Sequence, residues 1–200
     1  MENNTKKISC QGHIFTLRKM VVVSSENSLP YSRVIIRFTN GSKLVYIDQR
    51  LFGQVGLVKD VKRYIKSKKL GPDALELDMP TFKNILLKAK GSVKSVFMNQ
   101  KLIAGLRNIY ADEIMFQSGI HPLNKVEQLD QQDMNTLFQK MKRVLQTAIK
   151  RWADYEQFPD SYLIKRRSKK GKCPRCGSSL EQIKVTGRTT YYCPRCQGKN

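Results

Sequence analysis

Acidic side chains are scarce in this sequence. Against 37 Lys and Arg stand only 16 Asp and Glu, which gives 200 residues a formal net charge of +21. A surplus of that size destabilises the compact state by self-repulsion unless a polyanion neutralises it. Nucleic acid is therefore the first expectation for a partner, ahead of a basic surface that merely confers solubility.

Long apolar runs are also missing, which argues against a membrane partner. No run approaches the roughly 18 residues of a transmembrane helix. Residues 1–9 are polar and no apolar segment of a signal peptide follows them, and no lipidation motif is present. We therefore expect no membrane partner and a location in the cytoplasm or nucleoid.

The usual signatures of catalysis are sparse too. The sequence has two histidines, His13 and His121, and His121 lies in a Gly-Ile-His-Pro turn that favours a structural role. No glycine-rich phosphate loop and no paired carboxylates stand out. These residues alone assign no catalytic group.

Cysteine, by contrast, is informative. Four of the five cysteines form two C-x-x-C pairs separated by sixteen residues: Cys173 and Cys176, then Cys193 and Cys196. In a chain expected in the cytoplasm, this spacing indicates a metal site rather than disulfides. Two such pairs surround one Zn²⁺ with four thiolates and leave no open coordination position. We expect one structural zinc, and Cys10 is interpreted as an incidental thiol.

The segment between the two pairs predicts a β-hairpin. Residues 180–185 and 189–192 alternate in the manner of strands, with Gly187-Arg188 at the predicted tip. Arg188 would then project from a hairpin that the metal holds in place.

The rest of the chain divides into a β-rich part, residues 1–58, and a helical part, residues 59–160, ahead of the finger at 161–200. In the β-rich part, Asn40-Gly41 separates two strand-like runs, which predicts a hairpin with a type I′ turn. In the helical part, apolar residues recur at three- and four-residue steps over 130–152, with Asp130 as the N-cap. We also predict that Asn108 caps a helix over 109–117, which Gly119 ends.

Three segments resemble a known family. These are Leu-Ile-Ala-Gly-Leu-Arg-Asn-Ile-Tyr-Ala-Asp-Glu at 102–113, Gly-Ile-His-Pro at 119–122 and Val-Thr-Gly-Arg-Thr-Thr-Tyr-Tyr-Cys-Pro-Arg-Cys-Gln at 185–197. Over about residues 30–200 the chain resembles the formamidopyrimidine-DNA glycosylase and endonuclease VIII (Fpg/Nei) family of base-excision repair enzymes. The resemblance implies an α+β fold with a partial β-sandwich or hairpin region, a helix–two-turns–helix domain and a C-terminal four-cysteine zinc-ribbon hairpin. It also implies double-stranded DNA as the partner.

The resemblance further implies five DNA-binding residues. Asn108 and Arg188 would hold phosphates, and Lys94 falls where the family has a phosphate-contacting lysine. Arg50 and Phe52 fall where the family inserts side chains into the gap left by a flipped base. Such insertion offsets the unstacking of that base.

The N-terminus departs from the family pattern. The family begins Pro-Glu, whose secondary amine attacks the sugar, whereas this sequence begins Met1-Glu2, and the first half of the β-sandwich has no counterpart. We therefore expect a protein that binds damaged or abasic duplex without an assigned catalytic residue, with a partner chain as one source of the missing half.

Two alternatives stay open. One is an active glycosylase or abasic-site lyase in which the Met1 α-amine, beside Glu2, forms a Schiff base. The other is a non-catalytic zinc protein that binds RNA or a ribonucleoprotein.

Overall fold

The computed structural model describes residues 18–23, 29–49, 51, 53 and 55–198. The chain divides into two compact units, with the division after Ser67, and each unit is described by itself. None of the helices in this described part combines the length and the apolarity that crossing a bilayer requires.

The first unit contains an antiparallel sheet and a short helix. Strands β1 (Arg18–Val23), β2 (Ser32–Arg37) and β3 (Lys43–Asp48) lie in the order β1-β3-β2, so β3 pairs with both neighbours. Its Val45 side chain is buried, as expected for a central strand. Helix α1 (Val61–Ser67) follows the sheet in sequence.

The predicted hairpin between β2 and β3 is confirmed, but the predicted type I′ turn is wrong. Of the two central residues only Gly41 has a positive φ, at 82°. The Phe38 N–H donates to the Ser42 carbonyl at 2.9 Å, which encloses a three-residue loop ending on a left-handed glycine. Asn40 avoids the left-handed region because its side-chain oxygen accepts from the Ser42 N–H at 3.1 Å and holds the backbone in another turn.

The second unit has a helical core. Its α-helices are α2 (Met79–Lys88), α3 (Val93–Met98), α4 (Asn108–Ser118) and α5 (Gln131–Lys150). The predicted Asp130 cap of α5 is confirmed, since its carboxylate accepts from the Asp133 N–H at 2.7 Å. The apolar stripe of α5 faces the core, as its periodicity predicts; its buried residues are Met134, Leu137, Met141, Val144, Leu145 and Ala148.

Helix α4 is the central helix of this unit. Seven consecutive residues, 110–116, are buried, so the helix is enclosed on every side. Gly119 ends it in the left-handed conformation, with φ of 72°, as predicted. The predicted Asn108 cap is wrong: α4 begins at Asn108 itself and Arg107 occupies the cap position. The Asn108 side-chain nitrogen donates to the Thr189 carbonyl at 2.9 Å. Its side-chain oxygen, the atom that a cap would use, is buried without a hydrogen-bond partner among the described residues.

The finger contains the second predicted hairpin. Strands β4 (Glu181–Val185) and β5 (Arg188–Tyr192) pair antiparallel, which confirms it. The turn is formed by Thr186 and Gly187, with φ of 49° and 73°, so both positions are left-handed as in a type I′ turn. The tip therefore lies one residue earlier than predicted, and Arg188 is the first residue of β5.

Candidate zinc centre and nucleic-acid interface

The four paired cysteines converge on one point. Their Sγ atoms all lie within 4.8 Å of one another, with Cys173 and Cys196 at 3.8 Å and Cys176 and Cys193 at 3.5 Å. Thiolates at 2.3 Å from a shared ion in a tetrahedron stand about 3.8 Å apart, so the cluster has the dimensions that zinc requires. Since sulfur fills all four positions, the zinc is structural.

Backbone and side-chain donors hold the cysteines in place. The N–H groups of Arg175 and Cys196 each donate to a cysteine Sγ two or three residues earlier, both at 3.4 Å. The Cys193 N–H donates to the Gln197 side chain at 2.9 Å, and that amide donates onward to the Ile120 carbonyl at 2.8 Å. Gln197 is buried, so the second knuckle is connected directly to the segment that follows α4.

The finger packs on α4 through a small apolar cluster. Phe116, Leu163, Cys173, Leu180 and Cys193 are buried together. The Arg175 guanidinium lies 4.8 Å from the centre of the Phe116 ring, and the His121 ring meets Tyr192 edge-on at 4.6 Å. His121 thus makes an aromatic contact between the finger and the segment after α4.

The buried carboxylate of Asp112 connects α4 to three other parts of the second unit. One oxygen accepts from Lys94 of α3. The other accepts from the Arg167 guanidinium at 2.6 and 3.2 Å and from the Tyr191 N–H of β5 at 3.2 Å. We call these four residues the Asp112 node. Because one carboxylate faces two cations, the node carries an excess positive charge.

Lys94 is fully buried within this node. Burial lowers the pKa of its ammonium, the nearby Asp112 carboxylate raises it, and the guanidinium groups of Arg167 and Arg188 lower it further. Arg188 is thus close enough to act electrostatically on Lys94, although its own side chain is exposed.

The structure brings together three of the five predicted DNA-binding residues. Asn108 contacts β5 beside Arg188. Lys94 of α3 contacts Asp112, which lies one helical turn after Asn108 on α4. Arg50 and Phe52 lie outside the described residues. The catalytic candidates Met1 and Glu2 lie outside them as well.

The sequence interpretation missed Asp112 and Arg167. Asp112 stands four residues after Asn108, so both project from one face of α4. That spacing was a signal that polar side chains share one side of α4. Arg167 carried no comparable signal within a run of basic residues.

Two family models match the second unit. The formamidopyrimidine-DNA glycosylase H2TH domain matches residues 70–159, and a zinc finger found in FPG and IleRS matches residues 170–198. A curated formamidopyrimidine-DNA glycosylase of Acaryochloris marina is 33% identical over 194 residues, which cover 88% of this chain and 68% of that protein. The chain belongs to the formamidopyrimidine-DNA glycosylase family.

Other family members extend the comparison. The glycosylase of Mycoplasma mobile is 33% identical over 183 residues, and the match spans 85% of this chain but 66% of that protein. A solved complex of Lactococcus lactis Fpg with DNA containing an abasic site is 30% identical, with a TM-score of 0.79 over 94% of this chain and 74% of that one. The chain thus spans slightly less than two thirds of the Mycoplasma relative.

Family membership confirms several predictions. The α+β fold class, with a helix–two-turns–helix region and a four-cysteine zinc finger, agrees with the glycosylase structures. The expected structural zinc is supported by the finger model and by the thiol cluster. The DNA-contacting roles of the individual residues and the three-part division of the chain stay predictions.

Glu113, the neighbour of Asp112, should make stability depend on pH. Burial raises the pKa of its carboxyl from 4.5 to about 7, against hydrogen bonds from Gln117 and the Ile164 N–H and the charge of Arg167, all of which lower it. The protonated form is the one that burial favours. The stability that the raised pKa of Glu113 adds to the folded state is therefore fully present below pH 4.5 and is lost as the pH rises to about 7.

Replacing Glu113→Gln should remove this dependence. Relative to the variant, the protein should lose about 3 kcal/mol of unfolding free energy between pH 4.5 and 7, since one pKa unit corresponds to about 1.4 kcal/mol. Chemical denaturation of both proteins across this range measures the difference, and effects of pH on the zinc thiolates cancel between them. Parallel pH profiles would contradict the prediction.

Proposed function

We propose that this chain binds duplex DNA carrying damaged or abasic sites, as a base-excision-repair protein. The proposal rests on one observation: Asn108 and Arg188 are held close to each other by contacts between α4 and β5. The amide of Asn108 bonds to β5 next to Arg188, and the Asp112 node attaches β5 to the same helix. Two phosphate-binding candidates from distant parts of the chain are thereby held at a constant separation.

Local charge favours an anion at this place. Lys94 and Arg167 bring two cations to the single carboxylate of Asp112, and the exposed Arg188 acts electrostatically on Lys94. The α4 helix adds its N-terminal N–H groups, which have no side-chain cap and no acidic residue in the first turn. A DNA phosphate would supply the missing negative charge and accept these hydrogen bonds.

The relatives provide further support. The Lactococcus lactis Fpg was solved with DNA containing an abasic site, and a MutM structure contains carbocyclic 8-oxo-G DNA. Similarity in fold and sequence makes the same class of ligand the natural proposal for this chain. It agrees with the net charge of +21, which a polyanion would neutralise.

Arg188→Ala should weaken binding to a fluorescently labelled abasic duplex by at least about fivefold, because a phosphate contact contributes on the order of 1 kcal/mol. If the wild type neutralises about five phosphates, the logarithm of its association constant should fall with the logarithm of salt concentration at a slope near −4.5. The slope of the variant should be smaller in magnitude by about 0.9. Thermal unfolding should be unchanged.

A suitable control is Arg143→Ala, which removes the same charge from an exposed position of α5. If both variants bind equally well, net charge alone explains the affinity and the assignment of Arg188 is wrong. A salt-independent affinity, or displacement of the duplex by structured RNA at equal concentration, would contradict the proposal of duplex DNA.

Catalysis is the second candidate, favoured by the curated names of the relatives, which are glycosylases. Borohydride reduction with abasic duplex distinguishes it from binding alone. A covalent adduct that disappears when the N-terminal amine is blocked supports a lyase that uses Met1; equilibrium binding without an adduct supports a binding protein.

A further inference from the structure

Trp152 is the single tryptophan of the chain, and it lies in the turn that ends α5 with 91% of its surface exposed. Its φ is 51°, and the next residue, Ala153, has φ of 54°. Two successive left-handed residues are unusual, and for a bulky side chain the conformation is an outlier. Such outliers persist where the surrounding structure fixes them, and they cluster at functional sites.

Hydrogen bonds hold this turn in place. The Trp152 N–H donates to the Ile149 carbonyl at 3.0 Å, the Ala153 N–H to the Ala148 carbonyl at 2.8 Å, and the Asp154 N–H to the Arg151 carbonyl at 2.8 Å. Ala153 is buried while Trp152 is not. The turn therefore directs a methyl group into the core and the indole into solvent, although burial of the indole would be favourable.

The turn lies close to the proposed DNA-binding residues. Tyr155 is three residues further on, so its Cα is within about 11 Å of the Trp152 Cα. The Tyr155 hydroxyl accepts from the Arg107 guanidinium at 3.3 Å. Arg107 directly precedes Asn108, whose amide contacts β5 beside Arg188. The turn that carries Trp152 is thus connected, through Tyr155 and Arg107, to the start of α4, where phosphate contacts are proposed.

Two cationic residues come directly before Trp152 in the sequence. Lys150 and Arg151 immediately precede it and are exposed. An aromatic ring beside cations is the combination by which proteins hold unpaired bases, since the ring stacks on the base and the cations attract its phosphates. Stacking requires a flat exposed face, and the turn presents the Trp152 indole with 91% of its surface exposed.

We propose that Trp152 is a stacking platform for an unpaired nucleobase of bound DNA. The inference rests on the proposed function and adds a source of preference for distorted duplex. Bases in intact duplex are already stacked on their neighbours and have no free face to offer. At an abasic or unpaired position, a base can leave the helix at lower cost and pack on the indole.

The lone tryptophan makes the proposal directly measurable by fluorescence. In free protein, the Trp152 emission should have its maximum at long wavelength and should be quenched by acrylamide. A duplex with one unpaired base should quench the emission and protect it from acrylamide, whereas intact duplex of the same sequence should change neither at matched saturation. Emission already shielded in free protein, or emission that changes with protein concentration, would overturn the proposal, because the chain itself or a second copy would then cover the indole.

Trp152→Ala provides the second test. Its affinity for the duplex with an unpaired base should fall about tenfold, and its affinity for intact duplex should stay within about twofold. Trp152→Phe should retain most of the preference because it keeps an aromatic face. Leu87→Ala, which removes another exposed apolar side chain (66% exposed), should change neither affinity.

These experiments distinguish a failure of the stacking platform from a failure of the proposed DNA binding. Equal losses on both duplexes, or no loss on either, would overturn the stacking platform while DNA binding stands. A protein that binds neither duplex at low salt would overturn the proposed function, and the stacking platform with it.

Discussion

Removal of zinc should unfold the finger, residues 173–196, and leave helices α2 to α5 folded. The hairpin packs on a cluster of only five buried residues, of which Cys173 and Cys193 are themselves zinc ligands. Such a segment buries too little apolar surface to fold alone, so its stability comes mainly from the metal, for which structural sites supply on the order of 10 kcal/mol. Without the metal, Arg188 loses the strand that positions it.

We expect DNA affinity to fall on the order of 100-fold on chelation, since Arg188 and the neighbouring cations of the finger are lost together. Amide exchange should show loss of protection in β4 and β5 but not in α5. Cys176→Ser should reproduce the effect, and Cys10→Ser, which changes a cysteine not assigned to the metal, should retain zinc. Undiminished binding by zinc-free protein would exclude the finger as a DNA contact.

Asp112→Asn should destabilise the protein by about 3–5 kcal/mol, the cost of leaving a buried charge without its partner. The amide has nearly the shape of the carboxylate, so packing is preserved and the loss is electrostatic. Lys94 has no solvent contact and would remain buried with only a neutral partner, while Arg167 would lose its ion pair. Equilibrium denaturation in urea measures the change.

Two further variants make this result interpretable. Asp160→Asn removes a carboxylate that is paired with Lys165 at 2.7 Å but whose side chain is 84% exposed, so solvent screening should make its cost much smaller than that of Asp112→Asn. Adding Lys94→Met to Asp112→Asn should recover part of the lost stability, because the buried ammonium is then gone. Equal costs for the two aspartates would show that the node contributes no more than a surface ion pair.

Features encoded by short-range pattern were predictable from the sequence. The apolar period of α5 and the Asp130 cap each depend on residues close together in the sequence, and the structure confirms them. The four cysteines form two local pairs of recognisable spacing, and the structure brings the two pairs together. The family resemblance supplied the helix–two-turns–helix assignment that periodicity alone could not, because α4 is buried on every side and has no polar face to reveal its orientation.

Features that depend on distant partners were not predictable. Asn108 was expected to cap its own helix, but it is the first residue of that helix, and its side-chain nitrogen donates to a carbonyl 81 residues away. The Asp112 node joins residues 55 and 79 positions apart, and no local pattern marks such a pairing. Arg50 and Phe52 lie outside the described residues, so their proposed insertion into DNA stays a prediction.

If the chain binds DNA as proposed, the docking of β5 on α4 couples the affinity for zinc to the affinity for DNA. Because DNA would select the docked arrangement of the hairpin, and zinc is what allows the hairpin to dock, each ligand must tighten the other by the same factor. Under limiting zinc, the metal would therefore be distributed in favour of the molecules that are on DNA. Metal supply would then regulate the fraction of molecules that occupy the genome.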